Sequence, residues 1–237
     1  MKEVIFEKLT KDSLTEEKLA KAIDHSLVAP LITHDDVIKG CEIAKKYNVN
    51  SVAVKAYDIP LAIKLLKGTG VKVGTVVGFP HGSTTPEVKA FEARQAVKLG
   101  AVEIDAVSNF AATKSADYEL LRRDIKAIID GAGDAIVKII LETCYLTDEE
   151  KIKVCHLAEE LGAEFVKTST GFGTLGATPE DVRLMRKTVS PHIRVKAAGG
   201  IHNLDAAIEI FEAGADRIGA TRTAEIIEEW RTRQKNL

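Results

Sequence analysis

Along the chain, short apolar runs rich in valine and isoleucine alternate with longer stretches in which apolar residues recur every three or four positions. The runs number eight, centred on AIDHSL (22–27), SVAV (51–54), VKVGTVVGF (71–79), VEIDAV (102–107), AIVKIILET (135–143), EFVKTST (164–170), IRVKAAGG (193–200) and RIGAT (217–221). Of these AIDHSL has the weakest strand character. Runs that are apolar on both faces describe strands of a sheet covered on both sides. The stretches between them, such as DDVIKGCEIAKKY, PEVKAFEARQAVKLG, EEKIKVCHLAEELG, PEDVRLMRKTV and LDAAIEIFEAG, carry one apolar stripe at helical period.

The helices are punctuated at both ends. Thr33 with Asp36, Thr85 before Pro86, Thr147 with Glu150, Thr178 before Pro179, and Asn203 before Leu204 supply side chains that cap free backbone N–H groups. Gly100, Gly162 and Gly214 stand where helices end. Strictly alternating strands and helices require a parallel sheet, and eight repeats favour closure into a (β/α)8 TIM barrel over a doubly wound open sheet. No linker or composition shift divides the chain, so residues 1–237 read as a single barrel domain. An additional N-terminal helix is expected at about 13–22, within an extension covering residues 1–22.

Composition narrows the setting. A chain of 237 residues with 45% hydrophobic content can bury a full core, and a formal net charge of -2 leaves no basic excess for a nucleic-acid backbone. Three cysteines without a C-x-x-C pair argue against a disulfide framework and for a reducing, cytoplasmic setting. No run approaches the roughly 18 apolar residues of a membrane span, so no membrane is expected.

The chemistry concentrates in lysines. Lys138, Lys167 and Lys196 lie in three successive strands, 29 residues apart each time, flanked by apolar residues that point their ammonium groups into a packed interior. A single strand lysine is most simply an ion-pair member or one that snorkels to solvent; three at equal spacing suggest a site. Burial and mutual repulsion both disfavour the charged forms, which would leave one lysine partly neutral near pH 7 and therefore nucleophilic. Lys167 and Lys196 would face the mouth at the C-terminal end of the barrel, as a Schiff-base enzyme requires. Asp105 in EIDAV offers a carboxylate that could relay protons or pair with Lys138 or Lys196. Asp24 and Ser26, at the end of the first strand, could bind substrate hydroxyls.

KTSTGFGTLG (167–176) contains a G-x-G-x-x-G spacing, but its glycines do not open a helix, which waits for Thr178-Pro179, and the next strand end offers Lys196 where a dinucleotide site needs an acid. The loop reads instead as a close approach to an anion, with Thr168 and Thr170 adding hydroxyls. Gly199 and Gly200 after the seventh strand, and Gly219 with Thr221 at the eighth, extend this into a phosphate cradle. The helix after Ile201 is expected to aim its N-terminal dipole at the same place. The six histidines are scattered without a metal-binding spacing, and no metal is expected.

AIDHSL, TVVGFPHG, VKIILETCYLTDEE, GAEFVKTSTGFG and VKAAGGI resemble deoxyribose-phosphate aldolases, class I aldolases of the (β/α)8 type, and the resemblance runs through most of the chain. It implies reversible cleavage of 2-deoxy-D-ribose 5-phosphate to D-glyceraldehyde 3-phosphate and acetaldehyde, with no cofactor. Lys167 matches the Schiff-base lysine, Lys196 the second lysine and Asp105 the proton-relay acid, with Lys138 completing the charge network. Proteins of this kind often self-associate, so a homo-oligomer is expected.

The chain departs from the family pattern in places. IDHSLVAP has Ser26 and Ala29 where relatives often carry Thr and Lys. VAVKAYDIP has Ala53 in place of cysteine and Lys55-Ala56 in place of Asn-Pro. IGATRT leaves Thr221 as the hydroxyl for phosphate, and the tail lacks the tyrosine found in some relatives. The altered VAVKAYDIP loop motivates a second reading, a lysine aldolase for another phosphorylated sugar; a non-catalytic phosphate-binding barrel would leave the lysines unexplained.

Overall fold

The computed structural model describes residues 9–236. Its strands are β1 (Ile23–Leu27), β2 (Ser51–Val54), β3 (Lys72–Val77), β4 (Glu103–Val107), β5 (Ile136–Ile140), β6 (Phe165–Lys167), β7 (Arg194–Ala198) and β8 (Arg217–Ala220). Each pairs in parallel with the next, and β8 pairs back to β1 through Ile23 opposite Ile218. That last pairing closes the TIM barrel and excludes the open-sheet alternative. Every strand falls within its expected run, but several are shorter, because the residues following them leave the sheet to build the mouth.

The helices are α1 (Glu16–Lys21), α2 (His34–Tyr47), α3 (Ile59–Leu66), α4 (Pro86–Lys98), α5 (Phe110–Lys114), α6 (Tyr118–Ala132), α7 (Asp148–Leu161), α8 (Pro179–Thr188), α9 (Leu204–Glu212) and α10 (Thr223–Lys235). All five expected caps form, with reciprocal capping boxes at Thr33–Asp36 and Thr147–Glu150. α1 is shorter than the expected 13–22, since the Thr15 hydroxyl accepts the Lys18 N–H and sets its start. The first eight residues of the expected N-terminal extension lie outside the described residues.

Outside the barrel, α4 and α6 approach until a Cβ on Gly131 would sit 2.5 Å from the Ala90 carbonyl oxygen. Between them Lys89 and Asp124, both fully buried, form an ion pair at 2.7 Å. Lys89 also donates to the Val107 carbonyl at 2.8 Å, and Asp124 accepts the Asn109 N–H at 2.9 Å, so the pair clamps the end of β4. Inside the barrel, the floor is closed by Phe165, whose ring lies 3.9 Å from the Arg194 guanidinium. Above that floor the interior is charged.

Candidate active site

The equal spacing of the three lysines in the chain does not carry over to the sheet. Lys167 stands directly opposite Lys196 across β6 and β7, but Lys138 pairs with Phe165, and the β5 partner of Lys167 is Ile140. Lys138 therefore lies two residues deeper than Lys167, level with its β4 partner Asp105. Strand register is set by how each crossover helix packs, which a count of residues does not capture.

Asp105 joins the two levels. Its Oδ1 accepts from Lys138 Nζ at 2.8 Å, and its Oδ2 accepts from both Lys167 Nζ and Lys196 Nζ at 2.7 Å. Lys196 also donates to Asp24 Oδ2 at 2.6 Å, Lys138 to Glu103 Oε2 at 2.6 Å, and Arg217 to Asp24 Oδ1 at 2.7 Å. Lys138, Lys167, Lys196 and Arg217 thus face Asp24, Glu103 and Asp105, four cations to three carboxylates, all of them buried. Removing one proton from one lysine balances the cluster.

The electrostatics select Lys167 for that role. Burial pushes its amine down to about 8, the Lys196 ammonium pushes the same way, and Asp105 opposes them. For Lys138, burial acts downward, but Asp105, Asp24 and Glu103 together outweigh it and hold the ammonium above the usual lysine value. Burial would raise the Asp105 carboxyl, yet the three lysine ammonium groups keep it well below the usual carboxylate range. Lys138 is locked as a cation, whereas Lys167 is poised near neutrality.

Lys167 also has access to the mouth. It forms part of the wall of a cavity of about 530 Å³, with Ser26, Thr170, Gly171, Gly199, Gly200, Gly219 and Thr221 from the expected set. Lys138, Lys196 and Asp105 lie beneath that wall, between 1% and 2% exposed, with Asp105 bonded to Lys167. Gly171 and Gly199 hold φ of 87° and 80°, in the left-handed region that glycine tolerates. A Cβ on Gly176 would fall 2.3 Å from the Gly199 backbone, so these two loops close against each other only as glycines.

Three of the groups expected to meet substrate have partners within the protein. Asp24 is not on the cavity wall: it is the second residue of β1, fully buried, with its oxygens occupied by Ser51 and Arg217 on one side and Lys196 on the other. Thr168 is fully buried as well, its hydroxyl oxygen accepting the Ala198 N–H at 3.2 Å and stapling β6 to β7. The first N–H of α9, at Leu204, is already taken by Glu229 Oε2 at 2.7 Å, so the dipole of that helix is answered by a carboxylate from α10.

Glu103, Arg217 and Glu142 were not singled out from sequence. Glu103 and Arg217 could have been, because each lies two residues from an inward position, Asp105 and Gly219, and residues two apart on a strand share a face. Glu142 carried no such signal. It follows β5 with φ of 57°, a conformation costing a non-glycine residue about 1–2 kcal/mol, and its side chain is buried.

The comparisons with known proteins agree with this architecture. A model described as DeoC/LacD family aldolase matches residues 18–223. The chain belongs to that family, and is an aldolase, a carbon–carbon lyase. A deoxyribose-phosphate aldolase of Geobacillus sp. (strain WCH70) is 51% identical over 214 residues, covering 90% of this chain and 96% of the relative. One from Aciduliprofundum boonei is 53% identical over 213 residues, covering 89% and 96%. The solved deoxyribose phosphate aldolase of Aeropyrum pernix, described as a tetramer, superposes with a TM-score of 0.87 at 32% identity, covering 93% of this chain and 94% of that one. Among the described residues no helix is long and apolar enough to cross a membrane.

Proposed function

We propose that this chain reversibly cleaves 2-deoxy-D-ribose 5-phosphate to D-glyceraldehyde 3-phosphate and acetaldehyde through a Schiff base on Lys167. The observation that carries the reading is the Lys167 amine, depressed to about 8 on the wall of the cavity and sharing one Asp105 oxygen with Lys196. The neutral amine attacks C1 of the open-chain sugar to give a carbinolamine, whose hydroxyl leaves as water once protonated. The resulting protonated imine is an electron sink. Loss of the 3-hydroxyl proton breaks the C2–C3 bond, releases glyceraldehyde 3-phosphate and leaves an enamine on Lys167. Protonation of the enamine carbon and hydrolysis then release acetaldehyde and restore the amine. Lys196 and Asp105, with water at the mouth, move these protons, while Lys138 holds Asp105 ionised and in place.

Ser26, Thr170, Gly171, Gly199, Gly200, Gly219 and Thr221 are assigned to the substrate, with the glycine loops and Thr221 at its phosphate end. The altered β2 loop gives little support to a different sugar, because Lys55 is tied to the Ile32 carbonyl and only Ala53 of that segment reaches the cavity wall. A panel of sugar phosphates tests the choice: acetaldehyde release is fastest from 2-deoxyribose 5-phosphate, and a clear preference for another sugar phosphate would displace it. Run across pH, the same assay reads the nucleophile. Below about 8 the neutral fraction of Lys167 rises about tenfold per pH unit, so kcat/KM climbs with that slope and levels off above it. A profile flat from pH 5 to 8 counts against Lys167 as the titrating group.

The free Cys41, Cys144 and Cys155 support a cytoplasmic setting. Self-association is proposed by analogy with the tetrameric Aeropyrum pernix protein and from the exposed Phe91 and Leu99; sedimentation as a monomer at micromolar concentration would remove it.

A further inference from the structure

Glu142 is a buried acid that the proposed chemistry does not use. It is 2% exposed, its backbone is left-handed, and it follows β5 at the rim of the mouth. Its Oε1 accepts the Thr170 N–H at 3.2 Å, and its Oε2 accepts the Thr170 hydroxyl in a short contact. The Thr170 hydroxyl oxygen in turn accepts the Phe172 N–H at 3.0 Å. Two links from the carboxylate therefore pin the residues on either side of Gly171. The next residue but one is fitted to the same group, since a Cβ on Gly173 would lie 3.1 Å from Glu142 Oε1. The chain around Glu142 is held as firmly: the Leu141 N–H donates to the Lys167 carbonyl and the Thr143 N–H to the Thr168 carbonyl, both at 2.9 Å.

A carboxylate would repel a phosphate that met it directly, but both of its oxygens face Thr170. Its effect on an anion is indirect: it satisfies the donors of Thr170, so that the loop keeps one conformation with Gly171 on the cavity wall. A left-handed non-glycine residue persists only where its surroundings hold it there, and this one aims its side chain into the loop that follows the lysine.

We propose that Glu142 is a positioning residue for recognition of the substrate's phosphate, acting through Thr170 to fix the 170–172 loop. The proposal rests on the assignment of that loop to the phosphate end of a sugar phosphate. The test compares 2-deoxyribose 5-phosphate with unphosphorylated 2-deoxyribose for the wild type, Glu142→Ala, Glu142→Gln and Thr170→Val. Glu142→Ala raises KM for the phosphorylated sugar by about tenfold or more with a smaller change in kcat, and erodes the preference for it over the unphosphorylated sugar by a similar factor. Glu142→Gln keeps an acceptor for the Thr170 N–H and recovers most of the preference. Thr170→Val removes the hydroxyl that joins Glu142 to the Phe172 N–H while leaving the Thr170 N–H on Glu142, and reproduces part of the loss, which keeps the test open should Glu142→Ala fail to fold. Equal losses on both sugars, or an unchanged KM in Glu142→Ala and Thr170→Val, overturn the positioning role. If the wild type shows no preference for the phosphorylated sugar, the phosphate assignment itself falls, and the proposal with it.

Discussion

Replacing Lys167 by alanine lowers kcat for aldol cleavage by on the order of 10⁴-fold or more, with the protein still folded. The size follows from the role: without the amine there is no imine to take up the electrons of the breaking bond, and Lys196 lies below the cavity wall with its ammonium held between Asp24 and Asp105. The fold survives because Asp105 keeps Lys138 on one oxygen and Lys196 on the other. Moreover, burial disfavours the charged form of the deleted group. Thermal unfolding of this variant therefore stays within a few degrees of the wild type, about 1 kcal/mol for a chain of this size. Steady-state kinetics beside a melting curve check both halves, and residual activity above about a hundredth of wild type would move the nucleophile elsewhere.

Asp105→Ala damages both function and stability. It removes the carboxylate that three buried ammonium groups share, leaving Lys167 with no counter-charge and Lys138 and Lys196 with only Glu103 and Asp24. Breaking a buried ion pair from one side typically costs about 3–5 kcal/mol, and the loss of a positioned proton carrier costs about 10²- to 10⁴-fold in rate. Both effects are expected together, read by urea unfolding and by kcat. Asp105→Asn, which keeps the shape and one acceptor, separates them: more stability returns than activity, since an amide accepts a hydrogen bond but does not take up a proton. Full activity in Asp105→Asn would end the proton-relay assignment.

The parts of this molecule that were legible in the sequence are those governed by local pattern. Strand and helix alternation, the Thr33, Thr147 and Asn203 caps and the apolar stripes depend on residues within a few positions of one another, and all were realised. The inward lysines were readable for the same reason, from apolar neighbours on a strand. What escaped depends on residues far apart. The depth of Lys138 relative to Lys167 is a register between two strands joined by a packed helix. The occupied N-terminus of α9 depends on Glu229, twenty-five residues beyond Leu204. AIDHSL reads as a strand ending at the mouth, which would put Asp24 against substrate, but Asp24 lies near the start of β1 and Ser26, two residues on, reaches the cavity. Glu142 was silent because a left-handed backbone at a glutamate follows from the loop around it, and nothing in LETCY marks it.

Reductive trapping reads a Schiff base on Lys167 without recourse to kinetics. The folded protein is incubated with acetaldehyde, reduced with borohydride and mapped by peptide mass spectrometry. One ethyl group is expected on Lys167, absent from the Lys167→Ala protein. An ethyl group placed instead on Lys196 or Lys138, or no adduct from a preparation that cleaves substrate, would contradict it.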